Sequence, residues 1–391
     1  MWNGDRCFHN GWGAFFHMVD LLRAVAYRTG VSRPRLSYRN RAADPAGWAR
    51  DLGITQEAVD LYLAGDVIDL HIDSYIWNRI FRYDLRRQHG LGLLGGRYYS
   101  QLDFPRVREG ALTGATWVIT TNPWRRAHRR PLVFVENLRR LQGIFETVPE
   151  EFAVVRSVAE YRAARAAGKH AAFIGVQGGN ALDADLDTLD LIPDNLVLRI
   201  TIVHLLSSRI GVTSATTASR MHEGLSSFGK DYVRRLNEKK IFVDLAHINR
   251  QGFFDAFAVH DKSQPLLVTH TGVNGVHRHW RNVDDDQLKA VAGTGGTVGI
   301  MYQSDFLGDP WAGGRAESVV RHLAHIVDTV GEDHASLGSD WDGAINPPRD
   351  LLTPVQLPRV VDIMLRRGWS AERIHKILGG NFLRVVAALR G

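Results

Sequence analysis

The stretch Val67-Ile-Asp-Leu-His-Ile-Asp73 is a short apolar run that ends in a histidine and an aspartate. A near-continuous apolar run of this length is typical of a parallel β-strand that is buried on both faces. A doubly wound open sheet would need a glycine-rich phosphate-binding turn after such a first strand, and none follows here. The stretch therefore favours a closed barrel over an open nucleotide-binding sheet.

Seven more β-rich apolar runs follow, at intervals that leave room for helices. The eight runs are Val67–Ile72, Ala111–Ile119, Ala171–Val176, Leu196–Val203, Ile241–Leu245, Pro265–Thr269, Gly296–Met301 and Ala335–Gly338. The segments between them have helical periodicity, as at 319–330, where apolar residues recur at spacings of three and four. Eight strand–helix units predict an α/β fold, a (β/α)8 TIM barrel. We expect one barrel domain over residues 56–391, preceded by an N-terminal extension or cap over residues 1–55.

The composition is that of an ordinary globular protein. Of the 391 residues, 45% are hydrophobic and 23% are charged, which is enough apolar material for one large core. The net charge of +6 comes with no nucleic-acid-binding motif, so no nucleic-acid partner is expected. The single cysteine, Cys7, excludes an internal disulfide and every cysteine-based zinc motif.

Two kinds of targeting segment are absent from the sequence pattern. Residues 1–30 contain no continuous apolar core followed by a small-residue cleavage site, which argues against a secretory signal. The chain also has no stretch of about 18 uninterrupted apolar residues, so no transmembrane segment is expected. The sequence therefore predicts a cytoplasmic protein, and it leaves open whether the protein forms a homodimer.

Polar residues that can bind metal stand at the C-terminal ends of the predicted strands, where a barrel of this type builds its active site. His71 and Asp73 end the first strand. Because residues i and i+2 of a strand point to the same face, both side chains are expected to enter the mouth of the barrel. An imidazole and a carboxylate that converge in this way suit a zinc-type ion.

Histidines also end the fourth, fifth and sixth predicted strands. One histidine after an apolar strand is more often a core residue, but His247 and His270 in succession, together with the His-x-Asp pair, favour metal ligands. His204, after the fourth strand, is placed to polarise a carbonyl rather than to bind metal. Asp244 has the opposite parity to His247 and is expected to face the surrounding helices.

Two acids follow the eighth predicted strand. They are Asp340 and Asp342, in the segment Gly338-Ser-Asp-Trp-Asp-Gly343. An acid at this place is suited to take a proton from an attacking water and to pass it to a leaving group. The two acids share parity, so spacing alone does not decide which of them has this role.

Five segments, in this order along the chain, resemble motifs of the renal (membrane) dipeptidase family, which are amidohydrolase-type metal-dependent hydrolases. The resemblance covers roughly residues 56–386. The segments are Ala58-Val-Asp-Leu-Tyr running into Val67–Asp73, Gly224-Leu-Ser-Ser-Phe-Gly ahead of Val243-Asp-Leu-Ala-His, His270–Asn282, Gly338–Gly343, and Gly379-Gly-Asn-Phe-Leu-Arg-Val. Any one of them could arise by chance, but five in the family's order point to the family and to its barrel fold.

The resemblance implies a role for each matched residue. His71 and Asp73 would bind one zinc ion, and His247 and His270 would bind a second. His204 would polarise the scissile carbonyl.

Two further residues would handle the ends of the substrate. Arg281 would bind the terminal carboxylate, a task that suits its planar fork of donors. Asp340 would transfer protons and bind the substrate amine. The implied reaction is the hydrolysis of a dipeptide, or of a related small amide with a carboxylate, by a metal-bound hydroxide.

The third predicted strand departs from the family's pattern. It ends in Gln177-Gly-Gly179, where the family has Glu-Gly-Gly with a glutamate that bridges both metal ions. A glutamine can coordinate through its amide oxygen, but it is neutral and therefore a poor bridge between two dications. We expect one or two zinc ions, with Gln177 among the ligands and the second ion weakly held. Residues 300–304 also differ from the family where relatives carry pocket residues, which leaves the substrate open.

Two functions of different classes stay open. The first is a metal-dependent dipeptidase-like hydrolase, favoured because every other matched ligand is retained. The second is a divergent family member, either with a changed reaction in a specialised pathway or without hydrolytic activity, and it is favoured by Gln177 alone. The metal content of the purified protein separates the two.

Overall fold

The computed structural model describes residues 35–122, 124–215, 223–309 and 314–391, and in these ranges nine strands form one parallel sheet. The strands are β1 (Ile68–Ile72), β2 (Gly114–Thr120), β3 (Phe152–Val154), β4 (His170–Gln177), β5 (Val197–Thr201), β6 (Phe242–Asp244), β7 (Leu267–Thr271), β8 (Thr297–Ile300) and β9 (Ala335–Leu337). All eight predicted runs form strands of this sheet, with ends that differ by a few residues. The additional strand β3 was not predicted, and it pairs only with the start of β4.

The sheet closes on itself. Its order is β1-β2-β4-β5-β6-β7-β8-β9, and a parallel bridge between Ile72 and Trp341 joins the first strand to the segment after the last. The amide of Asp73 donates to the Trp341 carbonyl at 2.9 Å, and the amide of Asp340 donates to the His71 carbonyl at 3.1 Å. The predicted (β/α)8 TIM barrel is therefore confirmed.

α-Helices alternate with the strands as expected, except between β4 and β5, where two 3-10 helices (Gly179–Leu182 and Leu186–Leu191) form the connection. The α-helices are α1 (Pro45–Leu52), α2 (Gln56–Ala64), α3 (Tyr75–Phe81), α4 (Phe104–Glu109), α5 (Arg130–Glu146), α6 (Val158–Ala166), α7 (Ser227–Glu238), α8 (Arg250–Val259), α9 (Asp285–Gly293), α10 (Ala316–Val330), α11 (Pro358–Arg366), α12 (Ala371–His375) and α13 (Asn381–Arg390). The periodic segment 319–330 lies in α10, whose buried residues include Val319, Leu323 and Ile326. Side-chain caps fix several helix starts, such as Asn249 before α8 and the Asp284–Gln287 capping box of α9.

The apolar core has two parts. The larger part joins strand residues to the helices that surround the sheet. The smaller part joins strand residues such as Phe173, Phe242 and Leu267 to Phe382 of α13, and the Phe173 and Phe382 rings meet edge to face at 5.4 Å. This arrangement leaves the carboxyl ends of the strands free for polar side chains.

The N-terminal extension that the sequence predicts over residues 1–55 lies, for its first 34 residues, outside the described ranges. Residues 36–391 form one compact unit. In that unit α1 packs on α2 through Trp48 and Tyr62, whose rings lie 5.7 Å apart. None of the helices in the described ranges is long and apolar enough to cross a membrane. The cytoplasmic location and the homodimer stay predictions.

Candidate active site

Four histidine rings meet at the carboxyl ends of the strands. The ring centroids of His71 and His270 lie 3.7 Å apart, those of His247 and His270 lie 4.8 Å apart, and those of His204 and His247 lie 4.6 Å apart. All four were predicted to line one mouth of the barrel, and the structure brings them into contact there.

One half of the cluster combines His71 with two carboxylates. The Nε2 atom of His71 lies 3.6 Å from Asp73 Oδ2 and 3.6 Å from Asp340 Oδ1. All three side chains are buried, and neither His71 Nε2 nor Asp340 Oδ1 has a hydrogen-bond partner among the described residues. Burial, together with the charge of Asp73, raises the pKa of Asp340 well above its ordinary value.

The other half consists of two histidines and the glutamine. The Nε2 atoms of His247 and His270 lie 2.8 Å apart, and Gln177 Nε2 lies 3.2 and 3.3 Å from them. Burial lowers the pKa of both histidines well below the ordinary value, so both rings are neutral at physiological pH. Neutral imidazole is the form that binds a metal ion.

Gln177 links the two halves through Thr120. The Thr120 hydroxyl lies 2.5 Å from Asp73 Oδ1 and 3.1 Å from Gln177 Oε1. Gln177 therefore lies between Asp73 on one side and the His247–His270 pair on the other. Thr120 ends β2 and was not predicted as a site residue.

The described residues also contain a group of three candidate ligands that spans both halves. Donor atoms of His71, His270 and Asp340 all lie within 4.8 Å of one another. Asp340 was expected to transfer protons, and the structure in addition places its carboxylate within reach of an ion held by the histidines.

The backbone of three site residues is left-handed. His247, Asp340 and Asp342 have φ values of 67°, 63° and 67°, a conformation that non-glycine residues seldom adopt. Such strain collects at functional sites, where the surrounding structure holds it in place. The left-handed residues also interrupt the strict alternation of side chains beyond the ends of β6 and β9.

Asp340 and Asp342, which spacing could not separate, have different surroundings. The Asp342 carboxylate accepts from the Ser74 hydroxyl at 2.5 Å and from the Gln101 amide at 2.9 Å. These bonds fasten the segments after β1 and before α4. Only Asp340 lies against His71.

The expectation that Asp244 faces the surrounding helices is wrong. Its carboxylate accepts from Thr201 Oγ1 at 2.5 Å, from Thr269 Oγ1 at 2.7 Å and from Arg199 Nη1 at 2.9 Å. These partners lie beneath the histidines, on the barrel's inner side. The parity argument failed because β6 ends at Asp244, so the alternation does not continue to His247.

Asp244 sets the orientation of His270. The Thr269 hydroxyl donates to Asp244, so its oxygen is free to accept the Nδ1–H of His270 at 3.0 Å. This leaves the Nε2 lone pair of His270 directed into the cluster. A metal-binding histidine is commonly held in this way, with its other ring nitrogen donating to an acceptor.

Arg199 orients His71 in the opposite sense. The Arg199 Nη2 atom donates to His71 Nδ1 at 2.8 Å. Arginine has no acceptor, so a neutral His71 ring must carry its own proton on Nε2, towards Asp73 and Asp340. Gly175 makes room for Arg199, since a Cβ at Gly175 would lie 3.1 Å from Arg199 Nε.

Arg199 and Asp69 were not predicted as site residues, although the sequence carries a signal for both. Arg199 is a charged residue in the middle of an otherwise apolar run. Asp69 has the same parity as His71 and Asp73, and its Oδ1 accepts from the amides of His71 at 2.9 Å and Ser339 at 3.0 Å. Burial raises the pKa of Asp69 to about 7.

Arg281 and His204 border the cluster. Arg281 is 3% exposed and donates through Nη2 to the His270 carbonyl at 2.6 Å, while its Nε has no partner among the described residues. Burial lowers its pKa to about 10, so it is charged at neutral pH. Burial also lowers the pKa of His204 to about 4, and its Nδ1 has no partner in the described ranges.

A cleft of about 760 Å³ opens above the cluster. Its floor includes Asp73, Gln177, His204, His247, Arg281 and Asp340. Much of its wall is apolar and aromatic, with Trp77, Trp124, Trp280 and Phe306. The cleft has the size and mixed lining of a site for a small organic molecule.

The chain is similar to a protein named as a dipeptidase and to an uncharacterized protein. A dipeptidase of Claviceps purpurea, tcpJ, is 30% identical over 252 residues, which cover 63% of this chain and 57% of that protein. An uncharacterized protein from the pqqA 5′ region of Klebsiella pneumoniae is 34% identical over 169 residues, 42% of this chain and 60% of that protein. In both matches the chain spans less than two thirds of the relative's length.

Solved structures share the fold. A metallopeptidase from Rhodobacter sphaeroides, liganded with a phosphinate mimic of the dipeptide L-Ala-D-Ala, is 27% identical with a TM-score of 0.73, over 83% of this chain and 99% of that chain. The probable dipeptidase PvdM from Pseudomonas aeruginosa, at 19% identity and a TM-score of 0.74, supports the fold alone. The family model for membrane dipeptidase (peptidase family M19) matches residues 55–390, almost the whole described chain. The chain therefore belongs to the membrane dipeptidase family.

Proposed function

We propose that this protein is a metal-dependent hydrolase that cleaves the amide bond of a dipeptide or of a related small amide with a carboxylate. The observation that carries the proposal is the pair of neutral histidines, His247 and His270, whose Nε2 atoms meet at 2.8 Å beside two buried acids. Membership of the family supports the same reaction class.

The two halves of the cluster fit a metal ion differently. His247 and His270 offer two imidazole nitrogens, and His270 has the tautomer that leaves Nε2 free. The amide nitrogen of Gln177 faces the two rings, so Gln177 would turn its amide oxygen towards them to complete the site. His71 accepts a hydrogen bond from Arg199 at Nδ1, so the neutral ring carries its proton on Nε2. Neither ring nitrogen of His71 then has a free lone pair for a metal ion. We therefore assign one ion, for which zinc is the expected metal, to His247, His270 and Gln177.

When bound, the ion would polarise the scissile carbonyl and lower the pKa of a water molecule. The chain's own residues supply the remaining functions. Arg281 binds the substrate carboxylate through its free guanidinium edge. The neutral ring of His204, beside His247, donates a hydrogen bond to the carbonyl oxygen as negative charge develops on it. Asp340, whose pKa is raised by burial, carries a proton to the leaving amine.

A metal analysis combined with a dipeptide hydrolysis screen tests the proposal. We expect about one zinc per chain and hydrolysis that stops when a chelator removes the metal and returns when zinc is added. Protein that binds metal but cleaves no member of a broad dipeptide panel would overturn the dipeptide assignment.

The second candidate function is a non-hydrolytic family member. It is favoured by Gln177, which stands where the family has a glutamate and so removes one negative charge, and by the buried cation Arg199, which donates to His71. Purified protein without metal would favour this function, because the hydrolase requires at least one ion. If the protein holds one ion, the dipeptide hydrolysis screen separates the two.

Arg281→Ala is expected to raise KM about 100-fold and to change kcat by less than about fivefold, because the charged pair with the carboxylate is lost in the ground and transition states alike. Arg281→Lys keeps the charge but loses the planar fork, so its KM should fall between those of the wild type and Arg281→Ala. Steady-state kinetics on one dipeptide measure both constants. A collapse of kcat at unchanged KM would assign Arg281 another role.

A further inference from the structure

One wall of the cleft contains three arginines that the proposed reaction does not use. Arg79 on α3, Arg125 before α5 and Arg140 on α5 all line the cleft, and we call them the arginine wall. The charges of Arg125 and Arg140 act on Arg79 strongly enough to contribute to its lowered pKa, after the larger effect of burial. Arg79 therefore lies near both of the other two arginines.

No carboxylate of the described chain pairs with the arginine wall. Some arginines elsewhere on the surface are paired, since Arg235 and Arg250 each contact two acids at 3.0 Å or less. By contrast, Arg79 Nε is buried without a hydrogen-bond partner, and Arg140 makes only a 3.4 Å bond to the Asn78 carbonyl. Buried donors without partners are costly, so a ligand that supplies acceptors would stabilise this wall.

Two acids among the described lining residues, Glu136 and Asp73, lie near the wall without neutralising it. Burial lowers the pKa of Arg79 and the charge of Asp73 opposes this with a smaller effect, but the side chains of Arg79 and Asp73 form no ion pair within 4.0 Å. Glu136 stands one helical turn before Arg140 on α5, and no ion pair within 4.0 Å forms between them either. The wall keeps a net positive charge.

Large apolar side chains stand exposed in the same cleft as the arginine wall. Trp124 is 79% exposed, Ile80 is 60% exposed and Trp280 is 42% exposed, and all three line the cleft. Exposed apolar groups that cluster around a concave site usually mark a binding surface. At about 30 Å³ per water, the cleft holds roughly 25 water volumes, more than a small dipeptide fills.

We propose that the arginine wall is a second anion-binding subsite, separate from Arg281. The substrate is then an amide that carries an apolar or aromatic body and a second anionic group, a carboxylate, sulfonate or phosphate, in addition to the carboxylate that Arg281 binds. The identification of this substrate class rests on the proposed function, whereas the anion subsite itself does not. Arg79 is a specificity residue in this proposal.

A pair of fluorescent probes tests the subsite directly. 8-Anilinonaphthalene-1-sulfonate combines an aromatic body with an anion, and N-phenyl-1-naphthylamine is its uncharged analogue. We expect the wild-type protein to bind the sulfonate at least about tenfold more tightly than the analogue. Arg79→Leu and Arg140→Leu should each remove most of this difference and leave binding of the analogue unchanged.

Arg139→Leu is the matched control, because Arg139 is the exposed neighbour of Arg140 on α5 and does not line the cleft. Melting curves establish that each variant folds. Equal wild-type affinity for the two probes, or an equal loss in Arg139→Leu and Arg79→Leu, would overturn the subsite.

Substrates that differ only in charge test the substrate class. For dipeptides with glutamate or glutamine as the first residue, the wild type should prefer glutamate by about tenfold in kcat/KM, and Arg79→Leu should show no preference. Equal rates in the wild type would overturn the substrate class. If the probes behave as expected but no dipeptide is cleaved, the proposed function fails and the subsite stands. If dipeptides are cleaved but the sulfonate binds no better than its analogue, the subsite fails and the proposed function stands.

Discussion

Asp340→Asn is expected to lower kcat for amide hydrolysis by about 10²- to 10⁴-fold, the range that a positioned proton-transfer group contributes. The Asp340 carboxylate lies 3.6 Å from His71 Nε2 in the buried cluster, and its raised pKa suits a group that holds a proton at neutral pH. Asparagine keeps the shape of the side chain but cannot transfer a proton. Steady-state kinetics measure the effect, with metal content determined on the same samples because Asp340 also lies within reach of the ion.

Asp342→Asn is the matched control, since Asp342 is the same residue type two positions further along. Its carboxylate fastens Ser74 and Gln101 instead of facing His71. The change should lower the melting temperature, with a cost of about 1–3 kcal/mol for weakened buried bonds. It should lower kcat by less than about tenfold. Equal losses of kcat in the two variants would mean that Asp340 has no special part in proton transfer.

The barrel could be predicted from the sequence because each strand is an apolar run with helical periodicity on either side. The run 171–176 illustrates this, since β4 pairs on both sides and every residue in it is buried. Strand β3 was missed because it has three residues and contacts one strand only. In the sequence, a strand of three residues cannot be distinguished from the start of a loop.

The four histidines could be predicted because the carboxyl ends of parallel strands meet at one end of a barrel. The direction of individual side chains could not be predicted as well. The left-handed backbone at His247 breaks the alternation that was used for Asp244, and spacing carries no sign of it. Arg79 was missed for a different reason: a charged residue on a short helix is usually solvated, and only the folded cleft shows that it lacks a partner.

Arg199 changes how the missing glutamate is interpreted. From sequence alone, Gln177 is one lost negative charge between two candidate metal sites. The structure adds a buried guanidinium that donates to His71 and pairs with Asp244 at 2.9 Å. Both features disfavour a second dication, and they act on it in different ways. Gln177 lacks the negative charge that would screen two ions from each other. Arg199 donates to His71 Nδ1, whereas a His71 ring that bound metal through Nε2 would need to carry its proton on Nδ1.

Gln177→Glu is therefore expected to tighten binding of the single ion by about tenfold or more without adding a second ion. The new carboxylate would lie where the amide now lies, 3.2 Å from His247 Nε2 and 3.3 Å from His270 Nε2. Arg199→Met in the Gln177→Glu background should raise the content to about two ions per chain, because His71 is then free to turn its Nε2 lone pair to a metal. Metal analysis after dialysis, with zinc titrations, measures content and affinity.

Gln303→Glu is the matched control for this prediction, since it adds the same charge to the same cleft away from the histidine pair, and it should leave the metal affinity unchanged. In the double variant Asp244 loses its cation but still accepts from the Thr201 and Thr269 hydroxyls, which favours folding. If the double variant does not fold, the metal content and affinity of Gln177→Glu alone still test the prediction. Two ions held by Gln177→Glu alone would show that Arg199 is no barrier, and two ions held tightly by the wild type would show that neither Gln177 nor Arg199 limits the site.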